Sequence, residues 1–521
     1  MRYEFNLKFF AVAVIHFTIT FFLETFAFNV SEGIIRLGIK SIVFIFLLLF
    51  YQAIPFVYRK IKSSEIIYVN FLKYFLFLFI IMIFCTILTW PGVWHWDEFN
   101  ILNDASYYRI NSWQHWLTSV FYCFSLNIFP FPAGIVIMQV LFISILSAVS
   151  IAKIINSLKL QPKYGYLFCL VFLSPAAILM NLYLMRSTLC GYLEMFLIVI
   201  IICQWLDKKS FSLTFCLSIS PLIAIISSWR SENILYVMFV PFILLISNCK
   251  HMKRIIPSVL CMVIVTASIY GGISYIQSYA LKFSNNYSLT GMLSSLSAIV
   301  KTDFNSSNKE NDLNIIDKVV SVEHLKESDR NTAVFLSSEA KDYSDKEFAD
   351  FRKTFVRLAL LNFPIVLENQ FENFKVASAL TSKTYRTQNL FEILISDHIS
   401  QSAFKDNYIL NKAIHPSLRT YFVSFIQMSD ISGKPVYPFY GIFYSLIPPL
   451  VLVFATFIMS IIKKSFIFFS FSSLILCKAC LIFLTAPPFS LSFMYWFSIY
   501  LCSYVMFIFI LLAQKGYLKQ V

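Results

Sequence analysis

Charge is scarce in this chain. Only 13% of its 521 residues are Asp, Glu, Lys or Arg, about half the share found in a soluble domain. Glycine is scarce too, at 12 positions, and none falls in a GxGxxG or GxxxxGK pattern. The backbone cradle that such loops make for nucleotide phosphates is missing, which argues against a cytoplasmic nucleotide-sugar enzyme. The polar stretch 277–437 holds no cysteine, and almost all 11 cysteines fall in apolar runs, so no disulfide framework is expected. Cys477 and Cys480 have CxxC spacing, but their apolar surroundings place them inside a helix rather than around a metal. No His/Asp/Glu cluster has metal-ligand spacing. No small-residue cleavage site follows the first apolar run, 9–28, which is long enough to stay as an uncleaved anchor.

What is there is apolar. Hydrophobic residues make up 58% of the chain and phenylalanine alone 57 positions. So much apolar surface cannot hide in a water-soluble core, which predicts an all-α polytopic membrane protein. Runs of about 20 apolar residues predict about twelve spans: 9–28, 41–58, 71–90, 133–152, 164–181, 187–206, 211–229, 233–248, 255–275, 439–462, 465–486 and 490–513. The run 113–129, interrupted by Gln114, His115 and Asn127, is expected to lie as a helix at the outer surface. The domain plan is a transmembrane module, 1–276, with a first large outer loop, 91–132. A mainly helical extracytoplasmic segment, 277–437, and terminal membrane helices, 438–521, follow. Within the segment, an amphipathic stretch runs from about Phe348 to Leu380, and 305–312 is expected to be flexible. No internal repeat and no matched pair of broken helices is visible, against the pattern of many secondary transporters.

Basic residues set the expected orientation. With the amino terminus in the cytoplasm, Arg59, Lys60, Lys62, Lys153, Lys159, Lys163, Lys208, Lys209, Lys463 and Lys464 fall on the inside, where few acids occur. The formal charge of +14 is spread over these short loops, which excludes nucleic acid as its cause. Asp97, Glu98, Arg186, Arg230 and Glu232 then share the extracytoplasmic side.

The stretch Trp90-Pro91-Gly92-Val93-Trp94-His95-Trp96-Asp97-Glu98 carries most chemistry. Pro91-Gly92 ends a span, the tryptophans mark the lipid–water boundary, and two acids follow. A carboxylate there can serve as a general base, and neighbouring acids push each other's pKa values apart. Arg186 and Arg230 are candidates for binding an anionic phosphate at headgroup level, since arginine offers a planar, always-charged fork. Snorkelling to lipid headgroups is the alternative account. Glu194 and Lys478 lie inside apolar runs, where isolated charges are costly, so a buried ion pair between them is expected. The histidines are weaker signals: His95 beside the acids, His115 in the surface helix, and His415 before Pro416.

The Pro91-Gly92, four-residue, Asp97 pattern directly after an early span resembles the first outer loop of the GT-C glycosyltransferases. Similar features follow in order: Trp113-Gln114-His115-Trp116, the Arg230-Ser231-Glu232 opening of a helix with Pro241, and Ala486-Pro487-Pro488 with Tyr495-Trp496. The likeness is strongest over 70–250. Two spans precede the motif's own helix, where many members have none. The resemblance implies a polyprenyl-phosphate sugar as donor and a cell-surface glycan as acceptor: O-antigen, lipopolysaccharide or a wall polymer. It also implies work outside the bacterial cytoplasmic membrane. It maps the catalytic acid onto Asp97, with Glu98 assisting, and places His95, Trp96, His115, Glu232 and Tyr495 along the site. Some members use a divalent ion; no three-carboxylate set is present here, so neither metal nor other cofactor is assigned. An O-antigen polymerase leaning on Arg352, Arg357 and Arg386, and a lipid or solute transporter, are the alternative readings.

Overall fold

The computed structural model describes residues 6–28, 33–94, 96–111, 114–209, 211–247, 252–280, 285–329, 333–378, 412–430, 439–485 and 493–516. Among them the regular structure is helical, joined by turns and loops, with an isolated bridge between Val93 and Tyr183. In chain order the first helices are α1 (Leu7–Leu23), α2 (Ile34–Lys62), α3 (Ile66–Leu88), α4 (Trp96–Ala105), α5 (Trp116–Ile128) and α6 (Pro132–Ser157). Then come α7 (Gly165–Phe172), α8 (Pro175–Leu182), α9 (Arg186–Leu206), α10 (Leu213–Trp229), α11 (Ile234–Ser247) and α12 (Met252–Tyr275).

Every expected span has a helical counterpart, but they differ in kind. Among the described residues, eight helices are long and apolar enough to cross a membrane. The stretch expected as one span at 164–181 is instead the pair α7 and α8, bent by 66°. Pro175 causes the break, because its ring cannot continue the preceding helix. Ser174 caps the restart, its Oγ accepting from the Ala177 amide at 3.3 Å. Helices α10 and α11, and Ile447–Ile462 later in the chain, are apolar but shorter than 18 residues.

The bundle centres on α6, α9 and the last helix, α22 (Phe493–Gly516), which packs along α9. Gly191 makes that approach possible: a Cβ there would stand 3.2 Å from the Ser498 backbone. Small residues at helix contacts let backbones pack closely where lipid gives no hydrophobic drive. Helices α1, α2 and α12 keep most of their apolar surface exposed, as lipid-facing helices do.

The polar segment has its own helices: α13 (Asn285–Val300), α14 (Lys309–Asp317), α15 (Val322–Glu327), α16 (Asp345–Leu361), α17 (Phe363–Ala377) and α18 (Pro416–Ile426). The amphipathic stretch is thus two helices, broken at Asn362, with α16 opened by a Ser344–Glu347 capping box. Leu289, Leu293, Leu296, Ile316, Phe351 and Leu358 form a second apolar core, separate from that of the bundle. Residues 305–312 are not the loose stretch expected. Asn308 caps α14, Ser306 Oγ donates to Asp312 at 2.6 Å, and the Asn305 amide donates to Asn362 at 2.7 Å. Side-chain bonds order this polar run, a mechanism composition does not reveal. Phe374 joins the segment to the bundle, 5.4 Å from Phe483 and 5.9 Å from Trp496. The remaining helices are α19 (Phe439–Tyr444), α20 (Ile447–Ile462) and α21 (Phe466–Thr485).

Helix α5 departs from its expected setting. At 13 residues it is shorter than a membrane span, and it is packed within the protein rather than exposed. It packs against α2, α4 and α6, with Ser119, Tyr122, Cys123, Leu126 and Asn127 buried. Its polar residues, which suggested an exposed face, are satisfied inside. Asn127 Nδ2 donates to the Cys123 carbonyl at 2.8 Å, and Ser119 Oγ accepts from the Asn111 amide at 3.0 Å.

Candidate functional site

Helix α3 ends at Leu88, and the next residues turn sharply. Gly92 has φ +123°, a conformation that L side chains rarely adopt. A Cβ there would come 2.7 Å from Val136 Cγ2. Gly92→Ala should therefore destabilise the protein by about 2 kcal/mol or more, measurable as a lowered midpoint of thermal unfolding in detergent. A midpoint equal to that of the wild type would show that the loop relaxes freely.

The turn is held from two sides. The Val93 amide meets the Leu182 carbonyl at 3.5 Å. Arg419, on α18, donates Nε to the Thr89 carbonyl at 3.1 Å and Nη2 to the Gly92 carbonyl at 2.8 Å. Thr89 closes α3, so the guanidinium also sits at the negative end of that helix dipole.

Beyond the turn, α4 begins at Trp96, and Asp97 and Glu98 occupy its first turn. Carboxylates are favoured at a helix amino terminus, which accounts for their local stability. Glu98 is buried and Asp97 half-buried. Gln114 fixes Asp97 by donating Nε2 to Oδ2 at 3.1 Å. Gln114 is itself held, its amide donating to Asn111 Oδ1 at 3.0 Å, and Asn111 Nδ2 donates to Asp104 at 2.7 Å. His95 lies outside the described residues.

The start of α5 links these acids to the arginines. His115 caps it, accepting the Leu117 amide on Nδ1 at 3.3 Å. Burial, and after it the charge of Arg186, push its imidazole down to about 3. His115 is therefore neutral near pH 7, with Nε2 as its donor. Thr118 Oγ1 accepts from Trp229 Nε1 at 3.0 Å, which ties α5 to the end of α10 beside Arg230. Tyr122 donates to the Leu184 carbonyl at 3.1 Å and lies within electrostatic reach of both Glu98 and Asp97.

Arg186 is the first residue of α9. A cation there opposes the helix dipole, so helix stability does not explain it. It acts electrostatically on both His115 and Arg230. Arg230 is buried, paired with Glu232 and placed 5.0 Å from the centroid of the Tyr495 ring. Burial opposes the Arg230 charge, and Glu232 outweighs it, holding the guanidinium above its ordinary range. Burial likewise raises the Glu232 carboxyl, and Arg230 with Lys478 more than reverses this.

One step deeper, Lys478 Nζ meets the two oxygens of Glu194 at 2.8 and 2.7 Å, both residues being buried. Ser498 Oγ lies 2.7 Å from the same Nζ. Asn233 Nδ2 and the Tyr236 hydroxyl donate to Glu194 at 2.8 and 2.9 Å. The pair thus braces the α10–α11 turn that carries Arg230 and Glu232.

The acids, the arginines, His115, Glu232 and Tyr495 therefore gather at one end of the bundle. Tyr122, Arg419, Asn233 and Tyr236 are not singled out by sequence, and Gln114 is named only as part of a longer stretch. Only Gln114 carries a hint, by standing next to His115. Arg357 is elsewhere, paired with Asp312 on the separate core; Arg386 and Pro487-Pro488 lie outside the described residues. No group of three or more metal-ligating side chains occurs among the described residues. Comparison of the chain with protein families, with curated proteins and with solved structures finds no significant match.

Proposed function

We propose that this multi-pass membrane protein is a glycosyltransferase of the GT-C kind. It moves a sugar from a polyprenyl-phosphate donor to a cell-surface glycan, such as O-antigen, lipopolysaccharide or a wall polymer. In this reading the bacterial cytoplasmic membrane is crossed about twelve times, with short and bent helices completing the count. The amino terminus is cytoplasmic and the site extracytoplasmic, as the distribution of basic residues supports.

One observation carries the reading: α5 joins the carboxylates to the arginines. Gln114 holds Asp97, His115 stands by Arg186, and Thr118 holds the Trp229–Arg230 turn. The carboxylates and the two arginines are thereby gathered around the start of one short helix. Asp97 takes the proton from the acceptor hydroxyl as that oxygen bonds to the anomeric carbon. The bond from that carbon to the phosphate oxygen breaks, and the lipid phosphate leaves as an anion stabilised by Arg186 and Arg230. Arg230 is paired with Glu232, and Arg186 stands at the amino end of α9, a setting that favours anions.

The test is transfer by the purified protein in liposomes, supplied with radiolabelled polyprenyl-phosphate hexoses and envelope glycan. Labelled glycan is the expected product; polymer growth from a diphosphate-linked repeat unit, without hexose transfer, would favour the polymerase reading instead. Arg186→Ala should weaken donor binding about 10-fold or more, the worth of a charged hydrogen bond. Unchanged donor affinity would remove Arg186 from the site.

A further inference from the structure

Helix α18 has three faces, and they separate cleanly. Successive residues turn by about 100°. Arg419 and Ile426 point into the protein, 5% and 0% exposed, where α18 packs on α3 and α8. Ser417 and Thr420 are exposed on a polar side. On a third side Leu418, Tyr421 and Phe425 are 46%, 61% and 64% exposed, and Ile414 just before the helix is 62% exposed. The spacing 418, 421, 425 makes one continuous apolar stripe.

A soluble helix would turn such a stripe towards its own core. Here Arg419 fixes the roll of the helix the other way, by engaging the last carbonyls of α3 and its following turn. The neighbouring end of α3 exposes Phe84 and Ile87, at 59% and 46%. Helix α3 is one of the spans, so this is lipid-facing surface, and the α18 stripe lies at the same end of that helix.

We infer that α18 lies in the plane of the membrane surface. Its stripe of Leu418, Tyr421 and Phe425 is buried in the boundary between headgroups and acyl chains, and Ser417 and Thr420 face water. In-plane helices of this type dip about 5–10 Å into that boundary, and tyrosine favours it. Through Arg419 the membrane surface then sets the height of the Thr89–Gly92 turn. The consequence for Asp97 rests on the function proposed above; the lipid contact does not.

Spin labelling of the full chain in phosphatidylcholine–phosphatidylglycerol vesicles tests the contact without any substrate, so the two readings fail separately. The exposed Cys261, Cys477 and Cys480, together with Cys249, are first replaced by alanine, leaving cysteines that are buried. Labels are placed by Phe425→Cys, Leu418→Cys, Thr420→Cys and Ser417→Cys in separate proteins. Collisions with oxygen report lipid, and collisions with a water-soluble nickel chelate report water. The ratio of oxygen to nickel collisions is expected to be several-fold higher at 418 and 425 than at 417 and 420. Free access of nickel to the label at 425 would mean a water-facing stripe and overturn the inference. Exclusion of both reagents from 418 and 425 would mean that protein covers the stripe, and would overturn it equally.

Discussion

Asp97→Asn should reduce the rate of sugar transfer by about 10²–10⁴-fold, the usual worth of a general base, with donor binding unchanged. The substitution keeps the shape of the side chain, and its carbonyl oxygen still accepts from Gln114 Nε2. What it removes is the capacity to take a proton. Loss of a carboxylate from the first turn of α4 costs stability too, about 0.3–1 kcal/mol, too little to explain a large drop in rate. Donor affinity is the internal control, because the proposed phosphate site is formed by arginines on α9 and the α10–α11 turn. Initial rates at saturating donor, beside a direct binding measurement, separate the two effects. Wild-type turnover in Asp97→Asn protein would end the role assigned to this residue. Glu98→Gln is expected to behave differently: that carboxylate is 2% exposed, so its replacement should disturb folding and rate together.

The buried pair of Glu194 and Lys478 gives the largest expected effect on stability. Removing one partner of such a pair leaves an uncompensated charge and costs about 3–5 kcal/mol. Lys478→Met takes away the cation held at 2.8 and 2.7 Å and leaves Glu194 with neutral donors, Asn233 and Tyr236. Glu194→Gln leaves the ammonium facing a neutral amide and Ser498. Each single replacement should lower the unfolding midpoint sharply. The double replacement Glu194→Gln with Lys478→Met should recover most of the loss, since no lone charge remains. Thermal unfolding of the four proteins in one detergent completes the cycle. Single variants as stable as the wild type, or a double variant worse than either, would show that the pair does not brace the bundle. Because Lys478 also acts on Glu232, the single variants should disturb the Arg230 turn as well.

The positions of the helices were legible because apolar runs and basic loops repeat along the chain. Their lengths were less so. Ser174-Pro175 breaks a run that reads as continuous, and α10, α11 and α20 are shorter than 18 residues. Hydropathy reports that a stretch is apolar, not whether it is straight or where its caps fall. The burial of helix α5 within the protein is hidden in the sequence for a related reason. Gln114, His115 and Asn127 look like a wet face, yet each has a partner inside. The charged residues of the candidate site stand out in the sequence, since a charge is conspicuous in a mostly apolar chain. Their supports do not. Arg419 sits in an unremarkable stretch of the polar segment, and nothing local says that its partners are the carbonyls of Thr89 and Gly92. Asn233 and Tyr236 gain their meaning only once Glu194 is brought beside them.

The bond from Arg419 to Thr89 joins residues 330 positions apart. Synthesis proceeds from the amino end, so α3 and the turn after it leave the ribosome long before the arginine that fastens them. Until Pro416–Ile426 has been made, the carbonyls of Thr89 and Gly92 lack that clasp. The nascent chain therefore inserts its first spans with the turn before Asp97 still unfastened. A product cut short before Pro416 keeps that unfinished state, so the proposed active site is completed only once α18 has been made.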